Sequence, residues 1–165
     1  MARSCIDKHD CDSLVCARST KNSKQMINLT AYSLLFTIAA IGISETSYLI
    51  RKRIAAEHPV CPIGGGCETV LNSKYNKFFG LIHNDILGII FYISASIISA
   101  IIVIQDGSEI LINILTVMLI GATIMSLAFT YLQWRIIKAW CFWCLMSAGT
   151  VIIMDIIVFS IKYKV

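Results

Sequence analysis

Four of the seven cysteines fall into two close pairs, Cys61-Pro-Ile-Gly-Gly-Gly-Cys67 and Cys141-Phe-Trp-Cys144. Two residues between thiols is the spacing of thioredoxin-like redox centres. Cys141 stands at the mouth of a long apolar run. At a helix N-terminus the exposed backbone N–H groups favour a thiolate on Cys141 or Cys144. Trp140, Phe142 and Trp143 give the pair a flat apolar wall, against which a quinone ring could lie. The chemistries match in number, because a dithiol releases two electrons on becoming a disulfide and a quinone accepts two.

The first pair differs in kind. Gly64, Gly65 and Gly66 give it a mobile backbone. A shuttling arm gains from that mobility, because thiol–disulfide exchange passes through a mixed disulfide and needs access for the attacking sulfur. The same glycines also suit the tight turns of an ordinary loop. Two further readings of the four thiols stay open on the residues alone. One is a structural zinc site of four thiolates; the other is a pair of inert structural disulfides.

The elements that must position these cysteines are strongly apolar. Of 165 residues, 57% are hydrophobic and 15% charged, against about 25% charged in soluble domains. Four apolar segments account for this, at about 27–50, 86–104, 110–131 and 142–161, each 19 to 24 residues long. Roughly 20 residues of helix cross a hydrocarbon core, and in lipid the backbone must satisfy its own hydrogen bonds. The second and third segments have no polar face, and a soluble chain of this size has too little interior to hide four such helices. The sequence therefore predicts an all-α integral membrane protein, a four-transmembrane-helix bundle in contact with membrane lipid.

A polar N-terminal segment, 1–26, precedes a membrane catalytic domain, 27–161, with a redox loop at 54–85 and a short tail at 162–165. Asp106-Gly107 marks a tight turn between the second and third segments. The 132–141 connection reads as amphipathic and interfacial, and Trp134, Trp140 and Trp143 suit the aromatic belt of a membrane boundary. Counting spans puts the 54–85 loop and the 132–141 connection on one face, so both cysteine pairs share it. Charge does not orient the bundle: seven Lys and Arg lie on each side. A net charge of +4 without a long basic tract does not suggest nucleic-acid binding.

Further residues extend the pattern: Cys67-Glu-Thr-Val-Leu-Asn-Ser73-Lys-Tyr75, Phe79-Gly80-Leu81, and Asn84-Asp-Ile-Leu-Gly88-Ile-Ile-Phe-Tyr92. With Cys61 and Cys141-Phe-Trp-Cys144, this ordered set resembles the vitamin K epoxide reductase family, including its bacterial and archaeal DsbB-like members. The resemblance covers residues 27 to 160. It implies a catalytic four-helix bundle around a quinone, ubiquinone or menaquinone. It implies that Cys141 and Cys144 pass electrons to the quinone, while Cys61 and Cys67 take them from a thioredoxin-fold thiol oxidoreductase. It also implies that Ser73 orders the loop over the site and that Asn84 hydrogen-bonds a quinone carbonyl. Phe79, Tyr92 and Trp143 join the expected quinone contacts.

Individually, these residues have plain alternatives. An Asn84 amide can donate to a carbonyl or cap the helix that follows, and Asp85 can cap as well. Ser73 suits an ordinary local backbone bond, and His83 suits a polar surface. Glu45 and Asp155 are acids at membrane depth, which are costly and often functional; either can bind polar groups on another helix or reach water near a helix end. Three features differ from parts of the family. The run after Gly80 is Leu-Ile-His, where many microbial members carry proline. Ala148 stands where vertebrate members have tyrosine, which weakens a quinone-epoxide substrate. No thioredoxin-like domain follows the fourth segment, which implies a separate partner. Cys5, Cys11 and Cys16 match nothing in the pattern; with His9 they suit reduced thiols, a metal site or a regulatory cluster. The expectation is a membrane enzyme that generates disulfides in its partner and feeds the quinone pool, with its active face outside the cytoplasm. The alternatives are a quinone or vitamin K epoxide reductase and a non-catalytic scaffold with structural disulfides.

Overall fold

The computed structural model describes residues 13–62, 66–78, 82–105 and 108–164, with side chains from residue 29 onward except at 74, 77, 78, 163 and 164. The chain forms α1 (Ser13–Ile54), α2 (Gly66–Leu71), a 3-10 turn (Lys74–Asn76), β1 (Lys77–Phe78), β2 (Ile82–His83), α3 (Asn84–Ile104), α4 (Glu109–Leu132), a π-helical turn (Gln133–Ile137) and α5 (Phe142–Lys164). The two short strands pair antiparallel, Lys77 with His83 and Phe78 with Ile82. Four helices are long and apolar enough to cross a membrane, Leu29–Ile54, Asn84–Ile104, Glu109–Ile137 and Phe142–Lys162. The protein is an all-α, multi-pass membrane bundle.

Its helices form where the apolar segments are uninterrupted by proline. α3 has 21 residues, about 32 Å at 1.5 Å per residue, which matches the hydrocarbon core. α1 starts at Ser13 rather than near residue 27. The stretch from Ser13 to Met26 contains no glycine or proline, so nothing in it interrupts a helix that the first span already nucleates. The helix ends at Arg51, Lys52 and Arg53, whose positive charge suits a helix C-terminus. Ala56 then turns left-handed, with φ 52°.

Because lipid is as apolar as a leucine side chain, the bundle holds together by close packing and interhelical polar bonds. α1 packs most extensively on α3. A Cβ on Gly42 would run into the Tyr92 ring, and one on Gly88 would lie 3.0 Å from Thr46 Cγ2. The core joins Leu35 and Ala39 of α1, Tyr92 and Ala95 of α3, Leu115 and Leu119 of α4, and Val151 and Met154 of α5. Outward faces carry Ile41, Ile97, Val117, Ile124, Ile153 and Ile156, all exposed to the lipid side. Thr123 donates its hydroxyl proton to the Asp155 carboxylate, so this acid makes a polar bond between α4 and α5.

Candidate active site

The redox loop is docked onto the bundle by its shortest helix. A Cβ on Gly66 would lie 2.6 Å from the Trp140 carbonyl oxygen, so glycine is needed for α2 to approach the backbone just before Cys141. Gly66 therefore serves close packing, while Gly64 and Gly65 lie outside the described residues. Cys67 follows directly and is 1% exposed; Cys141 is 0% exposed. Both belong, with Val70, to one buried cluster against which Cys61 and Cys144 also pack. A disulfide joins Cys61 and Cys67, with a Cα–Cα distance of 6.0 Å, while Cys141 and Cys144 are free thiols. The span count placed the pairs on one face; the packing brings them together.

A clamp holds the loop strand before Cys61. The Val60 N–H donates to the Tyr48 hydroxyl oxygen at 3.1 Å, and the Trp143 Nε1–H donates to the Val60 carbonyl at 2.9 Å. The Tyr48 and Trp143 rings lie 4.5 Å apart at 36°. Trp143 thus ties the inner cysteine motif to the residue preceding Cys61. Trp143 is half-buried, whereas Trp134 and Trp140 are exposed. At the loop base Lys52 pairs with Glu57 at 2.7 Å, and His58 Nδ1 lies 3.1 Å from a Glu68 carboxylate oxygen.

Cys141 caps α5: its carbonyl accepts the Leu145 N–H at 3.1 Å. Its own N–H donates to Gln133 Oε1 at 3.0 Å. Gln133 is 1% exposed and sits in the π-helical turn. The connection looked like an interfacial surface in the sequence, so Gln133 was missed; a polar amide on its apolar side was the available signal. The Cys141 thiol is lowered to about 7, chiefly by the hydrogen bond from the Cys144 thiol; burial opposes this, and the backbone N–H groups of Cys144 and Trp143 add to it. A thiol poised near ambient pH is well matched to exchange.

Beneath the cysteines lies a cavity of about 280 Å³, near the low end of the roughly 300–1,000 Å³ usual for small-molecule sites. Cys144 lines it and Cys141 does not. Trp143, Asn84 and Tyr92 also line it, as do Glu45, Asp85 and Gln133. Asn84 is not the helix cap. His83 holds that position in extended backbone, and Asn84 is the first helical residue, so its side chain is placed at the cavity wall. Asp85 does not cap either; its Oδ1 accepts from Arg53 Nη1 at 2.7 Å. The Tyr92 hydroxyl donates to the Ser147 carbonyl at 3.0 Å and lies 2.8 Å from Ser147 Oγ, leaving the Tyr92 ring as its cavity surface. Ser73 sits away from the cavity and donates to the Val70 carbonyl at 2.8 Å, closing the end of α2. Phe79 lies outside the described residues, as do Cys5, Cys11 and the side chain of Cys16.

The arrangement brings an outer disulfide and an inner pair of thiols into one cluster, with Cys144 of the inner pair lining a largely apolar cavity that carries a few polar groups. No curated protein matches the chain. The profile of the vitamin K epoxide reductase family matches residues 33–159, a stretch that holds both cysteine pairs, the cavity and nearly all of the four spans, and the chain belongs to that family.

Proposed function

We propose that this protein is a quinone-dependent thiol oxidoreductase of the DsbB-like kind, which generates disulfides in a thioredoxin-fold partner. The observation that carries the reading is the order of the sulfurs. Cys61 is half-buried, Cys67 and Cys141 share a buried cluster, and Cys144 lines the cavity. A partner thiolate attacks Cys61, the Cys61–Cys67 bond breaks, and Cys67 leaves as a thiolate. The second partner thiol resolves the mixed disulfide, so the partner is oxidised and Cys61 and Cys67 are reduced. With the inner pair oxidised, Cys67 attacks Cys141 and Cys144 leaves. Cys61 then resolves the Cys67–Cys141 bond, restoring the outer disulfide and leaving two inner thiols.

Residues at the cavity suit a quinone headgroup. Asn84 lines the cavity, and its amide is a donor suited to a carbonyl; Trp143 and Tyr92 line it too and offer flat rings. Ser73 supports the reading from a distance, by ordering the end of α2 near Cys67. A bound quinone, ubiquinone or menaquinone, supplies a two-electron, two-proton acceptor in exchange with the membrane pool. The active face then lies outside the cytoplasm, where disulfides persist.

The test is oxygen-dependent oxidation of a reduced thioredoxin-fold protein in quinone-containing membranes. The wild type should oxidise it rapidly and Cys144→Ala should not. Equal slow rates in both would return the cysteines to a structural role. A stable mixed disulfide at Cys61 in the Cys67→Ala protein would separate redox work from scaffolding.

A further inference from the structure

Two carboxyl groups border the cavity in opposite electrostatic settings. Glu45 lies within the span Leu29–Ile54, is 8% exposed, and lines the cavity. Its Oε2 is buried and has no hydrogen-bond partner among the described residues. An unpaired carboxylate is costly to bury. The neutral acid avoids that cost and carries an O–H donor. Asp85 differs. Its side chain is 3% exposed and its Oδ1 is held at 2.7 Å by the Arg53 guanidinium. It also lies in the first turn of α3, where a helix N-terminus favours negative charge. Its second oxygen, Oδ2, is likewise buried without a partner among the described residues. One acid and one base facing a shared space is the arrangement by which two carboxyls divide proton transfer.

Building on the reading above, we propose that Glu45 delivers a proton to the quinone carbonyl oxygen in this cavity, and that Asp85 collects the proton released by Cys144. Oxidation of the inner pair forms one S–S bond and breaks two S–H bonds. Its two electrons and two protons convert a quinone to a quinol. Glu45 gives up one proton and recovers the Cys144 proton by way of Asp85; the second quinone oxygen takes a proton from water, which also receives the Cys141 proton when that thiol ionises, so the overall count closes. Asp85, Cys144, Glu45 and Tyr92 all line this one cavity. The ionisable groups lining the cavity are Asp85 and Tyr92 from α3, Cys144 from α5 and Glu45 itself, while α4 contributes none. Tyr92 is engaged with Ser147, so the carboxyls are the groups left to carry protons.

The experiment uses the whole protein in lipid nanodiscs with a water-soluble short-chain ubiquinone. Glu45→Gln keeps the shape and a hydrogen-bond donor but cannot release a proton. Infrared difference spectra on quinone binding should contain a protonated-carboxyl band that disappears in Glu45→Gln and persists in Asp85→Asn. Quinone binding, read by tryptophan fluorescence, should survive within a few-fold, which also reports a folded variant. Reduction of the quinone by the inner thiols should slow about 100-fold, the ordinary scale of general-acid catalysis. Exchange of the partner with the outer disulfide should proceed at the wild-type rate. A Glu45→Gln protein with a wild-type infrared band and a wild-type quinone reduction rate would overturn the proposal. A wild type that binds the quinone but never reduces it would overturn the parent reading, and this proposal with it.

Discussion

At the scale of single residues, the chemistry depends on the partners each sulfur has. Cys141 is lowered to about 7 first by the Cys144 thiol. Its thiolate therefore prevails above that pH and is lost as pH falls through it. Titration of thiolate absorbance in the Cys61→Ala/Cys67→Ala protein should have a midpoint near 7, and Cys144→Ala should raise that midpoint. Gln133 holds the Cys141 N–H. Removing the acceptor leaves a buried donor unsatisfied, a loss of about 1–3 kcal/mol. Thermal unfolding in detergent should show Gln133→Ala destabilised by that amount, and Gln133→Glu, which retains an acceptor oxygen, affected less.

At the scale of elements, two close approaches set the geometry. α2 reaches the Trp140 carbonyl only because residue 66 has no side chain. Gly66→Ala should lift α2 from the inner pair and slow exchange between Cys67 and Cys141 about 10-fold or more, given the steep dependence of rate on alignment. Partner attack on Cys61 should be spared, which rapid-quench trapping of the two mixed disulfides would resolve. α1 and α3 meet at Gly42 and Tyr92. Gly42→Ala overpacks that contact and should cost about 1–3 kcal/mol, measurable as a lower unfolding temperature. The Gly64–Gly66 run illustrates why element scale was hard to read from the chain. Glycine permits both mobility and close packing, and only the Trp140 carbonyl beside Gly66 distinguishes them at that position.

For the whole molecule, the proposed redox path leads from the loop disulfide through the inner pair to the cavity. Lys and Arg divide evenly between the two faces, so orientation is best read by chemistry. In reduced intact cells, a membrane-impermeant maleimide should label Cys61 from outside. Labelling only after permeabilisation would mean that the active face is cytoplasmic, and a partner would have to be sought there.

The sequence by itself determined the four spans, because a long apolar run is a local property that lipid reads directly. It also determined that both cysteine pairs share a face, because parity follows from the number of crossings. Cys61, Cys67, Cys141 and Cys144 stood out by type and spacing. What only the tertiary structure decided was which sulfur meets what: Cys67 and Cys141 in one buried cluster, Cys144 at the cavity and Cys61 half-buried at the cluster's edge. It also decided that Asn84 lines the cavity instead of capping α3, that Trp143 and Tyr48 grip Val60, and that Arg53 pairs with Asp85 while Glu45 Oε2 is buried without a hydrogen-bond partner among the described residues. These relations join residues far apart in the chain, as Arg53 and Asp85 are by 32 positions. They arise from helix packing in three dimensions, which no local pattern of polarity encodes.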